Sequence, residues 1–161
     1  MRKMLNTARD RDHVPEVERQ IKAMKERMWE HHANLPFPSF TRRMTIDLVK
    51  HVVMLINTFP PKRGISTTYS HLKITTGKTL DWKILCKLIF DAYAQVNEYR
   101  NITNTMKERT QGAIYIGPTE NVQVAYNFLL LRTRKKITRG KFTKVLKPTT
   151  VMKRLAAVAL E

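Results

Sequence analysis

Apolar positions recur along this chain first with the period of a helix and then with the period of a strand. Val17, Ile21, Met24 and Met28 fall three or four residues apart, which predicts one apolar stripe on a helix from about Pro15 to His31. Pro15 suits a first turn, where its missing N–H costs nothing, and Asp12 is placed to cap it. Glu16 complements the positive end of the macrodipole. Two prolines in Leu35-Pro36-Phe37-Pro38 forbid a helix interior. A second helix is therefore predicted from Thr41, as its cap, to about Asn57. There Leu48, Val52 and Leu55 form one row, and Val49, Val53 and Ile56 form the next. A stripe this broad predicts the most buried helix of the chain. Phe59-Pro60-Pro61 ends it, because the residue before a proline avoids the α region. Ser70–Thr76 reads as a short helix closed by Gly77.

From Phe90 the period becomes two. Phe90, Ala92, Ala94 and Val96 alternate with Asp91, Tyr93 and Gln95, the pattern of a half-buried strand. Ala113–Gly117, Tyr126–Leu131 and Ile137–Val145 read as three more strands, with Thr133–Lys136 as a hairpin turn. Pro148 breaks the last strand, and Thr150 is placed to cap a final helix bearing Val151, Leu155 and Val158. The pattern as a whole predicts an α+β chain. Helices fill 1–80, a small antiparallel β unit fills 81–147, and a helical tail fills 148–161.

Composition adds one strong constraint. The chain has 161 residues, 42% of them hydrophobic, which is enough for a real core. Its 30 Lys and Arg against 13 Asp and Glu leave a net charge of +17, which calls for a polyanionic partner. A single cysteine, Cys86, excludes an internal disulfide framework and a Cys-rich zinc module. Between Leu85 and Leu88 it reads as a small buried hydrophobe. Charges run through the first thirty residues, so no secretory signal is expected there. No apolar run approaches the length of a membrane span. The expected location is the nucleus or cytoplasm, with no membrane partner.

Candidate chemistry is sparse. His13, His31, His32, His51 and His71 show no zinc-finger spacing, and no nucleophile elbow or glycine-rich phosphate loop is present. Asp10, Asp12, Glu16 and Glu18 crowd the start of the first helix, where complementing the dipole accounts for them. No catalytic site, metal site or cofactor is expected. The charge itself is the candidate. Between Asn121 and Leu160 stand ten basic residues and no acid: Arg132, Arg134, Lys135, Lys136, Arg139, Lys141, Lys144, Lys147, Lys153 and Arg154. One reading is a solvated basic surface; the other is a footprint for a phosphate backbone, whose counterions such side chains release. On the second reading the nucleic-acid-binding residues are Arg132, Arg134, Lys135, Lys136, Arg139, Lys141 and Lys144. Ile137, Arg139, Lys141 and Thr143 share a strand parity, so Arg139 and Lys141 are expected on one face. No element reads base edges, so binding is expected to tolerate any sequence.

Several strings resemble a known family. Glu16-Val17-Glu18-Arg19-Gln20-Ile21-Lys22 resembles the "(A/V)-E-R-x-x-(R/K)" segment of copia-type retrotransposon integrases. Leu55-Ile56-Asn57-Thr58-Phe59-Pro60 looks like that family's "L-N-x-x-P" stretch. Gly77-Lys78 with Phe90–Val96 looks like its "G-K… F-G-x-x-x-x-V" lead into a small β-barrel. Gln111–Thr119, then Tyr126-Asn127-Phe128, Thr133 and Lys135–Arg139, is similar to the barrel's "G-x-x-x-G-P/Y … Y-x-F … T-G-K-x-I-x-R". The likeness covers about residues 10–155 and lies in the order and spacing of the strings.

The resemblance implies a retrotransposon polyprotein segment: the end of an integrase core, a small Src-homology-3-like β-barrel, and a tail toward the next module. It implies a role related to DNA integration, with DNA ahead of RNA as the ligand. Glu18 is the one catalytic acid that maps. The family's two Asp residues lie well before that Glu, and no counterpart to them is expected here. One carboxylate cannot hold two Mg²⁺ or Mn²⁺ ions, so no strand transfer is expected. Where the family's barrel has glycine, this chain has Asp91, Glu120, Val124 and Arg134. Turn glycines supply positive φ without strain, so the substitutions predict a sheet less stable than the helices. The alternative function is a small basic structural protein docking on a protein or ribonucleoprotein, with the Leu48–Ile56 face as its contact.

Overall fold

The computed structural model describes residues 15–36, 41–60, 66–79, 81–98, 106, 108–119 and 125–159. Four helices come first: α1 (Pro15–Ala33), α2 (Arg42–Thr58), α3 (His71–Thr76) and the single turn α4 (Trp82–Leu85). Five strands follow, β1 (Tyr93–Asn97), β2 (Thr110–Pro118), β3 (Tyr126–Leu130), β4 (Lys136–Arg139) and β5 (Phe142–Lys144), and then α5 (Thr149–Ala159). The class is α+β, as the periodicity predicts. Asp12, Glu120, Val124 and the side chain of Val158 lie outside the described residues.

Local chemistry sets the helix ends. The Thr41 hydroxyl accepts from the Met44 N–H at 3.2 Å, and the Ser70 hydroxyl accepts from the Lys73 N–H at 3.2 Å. Gly77 closes α3 with φ +70°. Asp81 caps α4 by accepting from the Lys83 N–H at 2.9 Å. A one-turn helix shows no periodicity, which is why the sequence pattern passes over it. The Pro148 carbonyl accepts from Val151 N–H and Met152 N–H, so α5 begins at Thr149 and not under a Thr150 cap. Cys86 is exposed, against the expectation of a buried thiol. It follows Leu85, which takes the buried position of that turn.

The strands form one antiparallel sheet in the order β4-β3-β2-β1-β5. Three details differ from the sequence reading. Strand β1 begins at Tyr93 because Asp91 takes φ +71°, which turns the chain before the ladder starts. The single strand expected over Ile137–Val145 is two strands, parted at Gly140-Lys141 and lying at opposite edges. The sheet is also not a closed barrel, since β4 and β5 share no ladder. It is strongly coiled all the same. Arg139 stands opposite Tyr126, which is level with Pro118, whereas Asn97 stands opposite Thr110. In a flat sheet those levels lie about 26 Å apart along the strands. Yet Arg139 Nε donates to the Asn97 carbonyl at 3.0 Å, so the corners have been rolled together. A β-bulge between Tyr115 and Gly117 supplies part of that bend.

Two apolar clusters hold the fold. On the outer face of the sheet, Met44, Leu48 and Val52 of α2 and Leu155 of α5 pack on Phe90, Tyr93, Ile114, Ile116 and Leu129. Inside the coil, Ala94, Val96, Ala113, Tyr115, Tyr126 and Phe128 pack together with Leu88, and Phe142 lies against them. Helix α2 is the most buried helix, as its broad stripe predicts. Its Leu48 and Val52 face this chain's own sheet, so the partner surface expected over Leu48–Ile56 loses its centre. Val53, on the far side, stays exposed. Leu48→Ala is expected to cost about 2–5 kcal/mol in urea unfolding. Val53→Ala should stay within about 0.5 kcal/mol. Equal losses at the two positions would contradict this packing.

Candidate nucleic-acid interface

The seven cations singled out by the sequence all lie on the β3–β4–β5 part of the sheet. Arg132, Arg134 and Lys135 occupy the turn joining β3 to β4, and all three are exposed. The turn closes through the Arg134 N–H, which donates to the Leu130 carbonyl at 2.9 Å. Arg134 adopts φ +56° there. Lys141 sits at the step between the two sheet edges and Lys144 on β5, and both are exposed. The strand-parity argument for Arg139 and Lys141 fails, because the chain turns between them at Gly140.

Cross-strand pairing gives a different alignment. Lys144 stands opposite Ala94, Ala94 opposite Ala113, and Ala113 opposite Leu130. The Leu130 N–H in turn donates to the Lys135 carbonyl at 3.0 Å. One row across the sheet thus ends in Lys144 at one edge and Lys135 at the other.

Three of the ten cations between Asn121 and Leu160 hold the fold itself. Lys136 Nζ donates to Asp47 Oδ1 of α2 at 2.9 Å, pinning the sheet edge to the helix. Arg139 donates to the Asn97 and Thr138 carbonyls. Lys147 forms an ion pair with buried Asp91, which ties the lead into α5 to the start of β1. Arg132, Arg134, Lys135, Lys141, Lys144, Lys153 and Arg154 are exposed, as is Lys136. The two pairing acids, Asp47 and Asp91, come from outside the acid-free stretch, and neither appears as a partner in the sequence pattern. Only a long-range contact reveals them.

Asp91 is 3% exposed, and its Oδ1 has no hydrogen-bond partner. Burial pushes its carboxyl up to about 6, against the pull of the Lys147 hydrogen bond and charge. Asp91 and Arg134 are the two non-glycine residues with positive φ among those described.

Beside Lys136 a cleft of about 280 Å³ opens between α2 and the sheet, lined by Asp47, Lys50, His51, Gly117 and Asn127 among others. His51 is buried against the rings of His31, Phe90 and Tyr115 at 5.6–6.1 Å. Burial, with a smaller contribution from His31, pushes its imidazole down to about 4. At neutral pH it carries no charge and adds nothing to phosphate attraction. Among the described residues no three His, Cys, Asp or Glu side chains converge as a metal site. No described helix is long and apolar enough to cross a membrane. Comparison with protein-family models, with curated proteins and with solved structures returns no match.

His51 and Asp91 act oppositely between pH 4 and 6. His51 takes a proton more readily when unfolded, so its contribution to stability is lost as pH falls from about 6.5 toward about 4. Asp91 takes a proton more readily when folded, so its contribution grows as pH falls through about 6. Relative to the parent, His51→Gln should therefore lose less stability between pH 6.5 and 4, and Asp91→Asn should lose more. Thermal melts across that range check both signs.

Proposed function

We propose that this chain is a non-catalytic nucleic-acid-binding segment of a retrotransposon polyprotein, related to DNA integration, that grips the phosphate backbone without reading sequence. The observation that carries the reading is the acid-free stretch from Asn121 to Leu160 with its eight exposed cations on and beside the coiled sheet. A merely soluble surface intersperses both signs of charge, and this stretch of the sequence carries one sign alone. Backbone torsions support the family likeness. Two of the four positions where copia-type integrases carry glycine, Asp91 and Arg134, take the left-handed conformation that glycine adopts most easily. On this likeness Glu18 is the one acid with a catalytic counterpart, and a lone carboxylate holds no metal pair. DNA is the preferred ligand on the same likeness. The docking alternative has less behind it, because Leu48 and Val52 already face the sheet.

If six to ten phosphates are contacted, affinity for a DNA duplex should fall roughly 10³–10⁵-fold between 50 and 200 mM salt. Lys135→Ala with Lys144→Ala should weaken binding equally for unrelated sequences and reduce the salt slope by about 2. A flat salt response would contradict the proposal, as would joining of DNA ends by the purified chain with Mg²⁺ or Mn²⁺. Arg134→Gly should raise stability by about 1 kcal/mol by relieving the turn, while weakening DNA binding. Unfolding curves and DNA titrations of that one variant read both effects.

A further inference from the structure

Trp82 faces solvent from a turn that is anchored to the sheet. It opens α4, a single turn far too short to be helical by itself. The Asp81 cap, the buried Leu85 and a hydrogen bond from Tyr126 Oη to the Ile84 carbonyl at 3.1 Å fix that turn to the sheet. Trp82 nevertheless remains 57% exposed. A lysine lies over each of two rings in this part of the molecule. Lys83 Nζ lies 5.9 Å from the Trp82 ring centre, and Lys87 Nζ lies 5.3 Å from that of Phe142. Phe142 sits on β5 between Lys141 and Lys144, and its ring packs on Tyr126 at 5.1 Å. Trp82 is thus an exposed ring beside a lysine, on a turn tied through Tyr126 and Phe142 to the strand that carries Lys144, and exposed rings next to cations stack bases while the cations neutralise backbone.

We propose that Trp82, with Lys83 beside it, is a stacking platform for an unpaired base, so that the chain prefers single-stranded nucleic acid to uninterrupted duplex. The inference rests on the backbone-binding reading and names the form of ligand. Bases inside a duplex have their faces covered by their neighbours and offer an exposed ring nothing to stack on. A protein partner fits less well, because protein interfaces are depleted in lysine.

The test uses the full chain with Trp29→Phe, which leaves Trp82 as the sole indole. It is titrated with dT20, with rU20 and with a 20-base-pair duplex at one salt concentration. Both single strands, DNA and RNA alike, should quench Trp82 fluorescence and bind more tightly than the duplex. Trp82→Ala should lose roughly 5- to 150-fold for the single strands and nothing for the duplex, with its salt slope unchanged. Trp82→Phe should retain most of the affinity, which separates stacking from any loss of folding. Equal single-strand binding by Trp82→Ala would overturn the platform and leave backbone binding standing. Absence of binding to all three ligands at 50 mM salt would overturn both. Self-association abolished by Trp82→Ala, with nucleic-acid binding unchanged, would assign the ring to a protein face instead and overturn the platform.

Discussion

Strand β2 is buried on both faces, and the rest of the molecule is arranged to make that so. From Ala113 to Gly117 every residue is buried. Ala113 and Tyr115 point into the coil, where Tyr126 and Phe128 meet them, while Ile114 and Ile116 point out to α2 and α5. The inner residues are covered only if the sheet coils, and the outer ones only if the helices lie on it. Glycine makes the coil feasible at two points. A Cβ on Gly112 would stand 2.5 Å from Tyr93 Oη, so the tyrosine ring lies where a side chain would be. Gly117 takes φ +141° beside the bulge. Helices and sheet therefore share one core across the join near residue 80.

Coiling also decides what the cations do. It brings the β4 and β5 edges close enough for Gly140-Lys141 to link them, and it lets Arg139 reach Asn97. Lys136 and Lys147 are drawn inward to Asp47 and Asp91, where each ties one element to another across long sequence separations. The remaining cations have no place in the core and stay on the outside. The left-handed torsions at Asp91 and Arg134 are the local strain of this arrangement, of order 1–3 kcal/mol each. At Asp91 the Lys147 ion pair offsets part of it, and at Arg134 the residue keeps its charge on the candidate surface.

The helices were legible in the sequence because their signals are local. The Thr41 and Ser70 caps, Gly77, the Phe59-Pro60 stop and the α2 stripe each act within a turn or two. Strand parity over Ala94–Val96 and Ala113–Gly117 was legible for the same reason, whereas Phe90, expected on the side of Ala94 and Val96, packs with Tyr93 on the helix side because the chain turns at Asp91. What stayed hidden depends on contacts between distant residues. Nothing near Gly140 announces that the chain crosses from one edge of the sheet to the other, because Ile137–Val145 keeps its alternation through the step. Asp47 looks like one polar residue on an amphipathic helix until Lys136 is brought against it. Trp82 lies in a turn too short to carry a period, and its exposure follows from where α4 docks. The candidate cations were visible as a charge run, but which of them serve the fold and which face solvent was not.

The proposed ligand contact places the β3–β5 cations of the coiled sheet against a phosphate backbone. Amide chemical-shift mapping of the labelled chain on addition of a DNA oligonucleotide tests it most directly. The account predicts perturbations concentrated in residues 131–144 and around Trp82, with α1 and the exposed side of α2 silent. Perturbations confined to α1 and α2, or none at low salt, would contradict it.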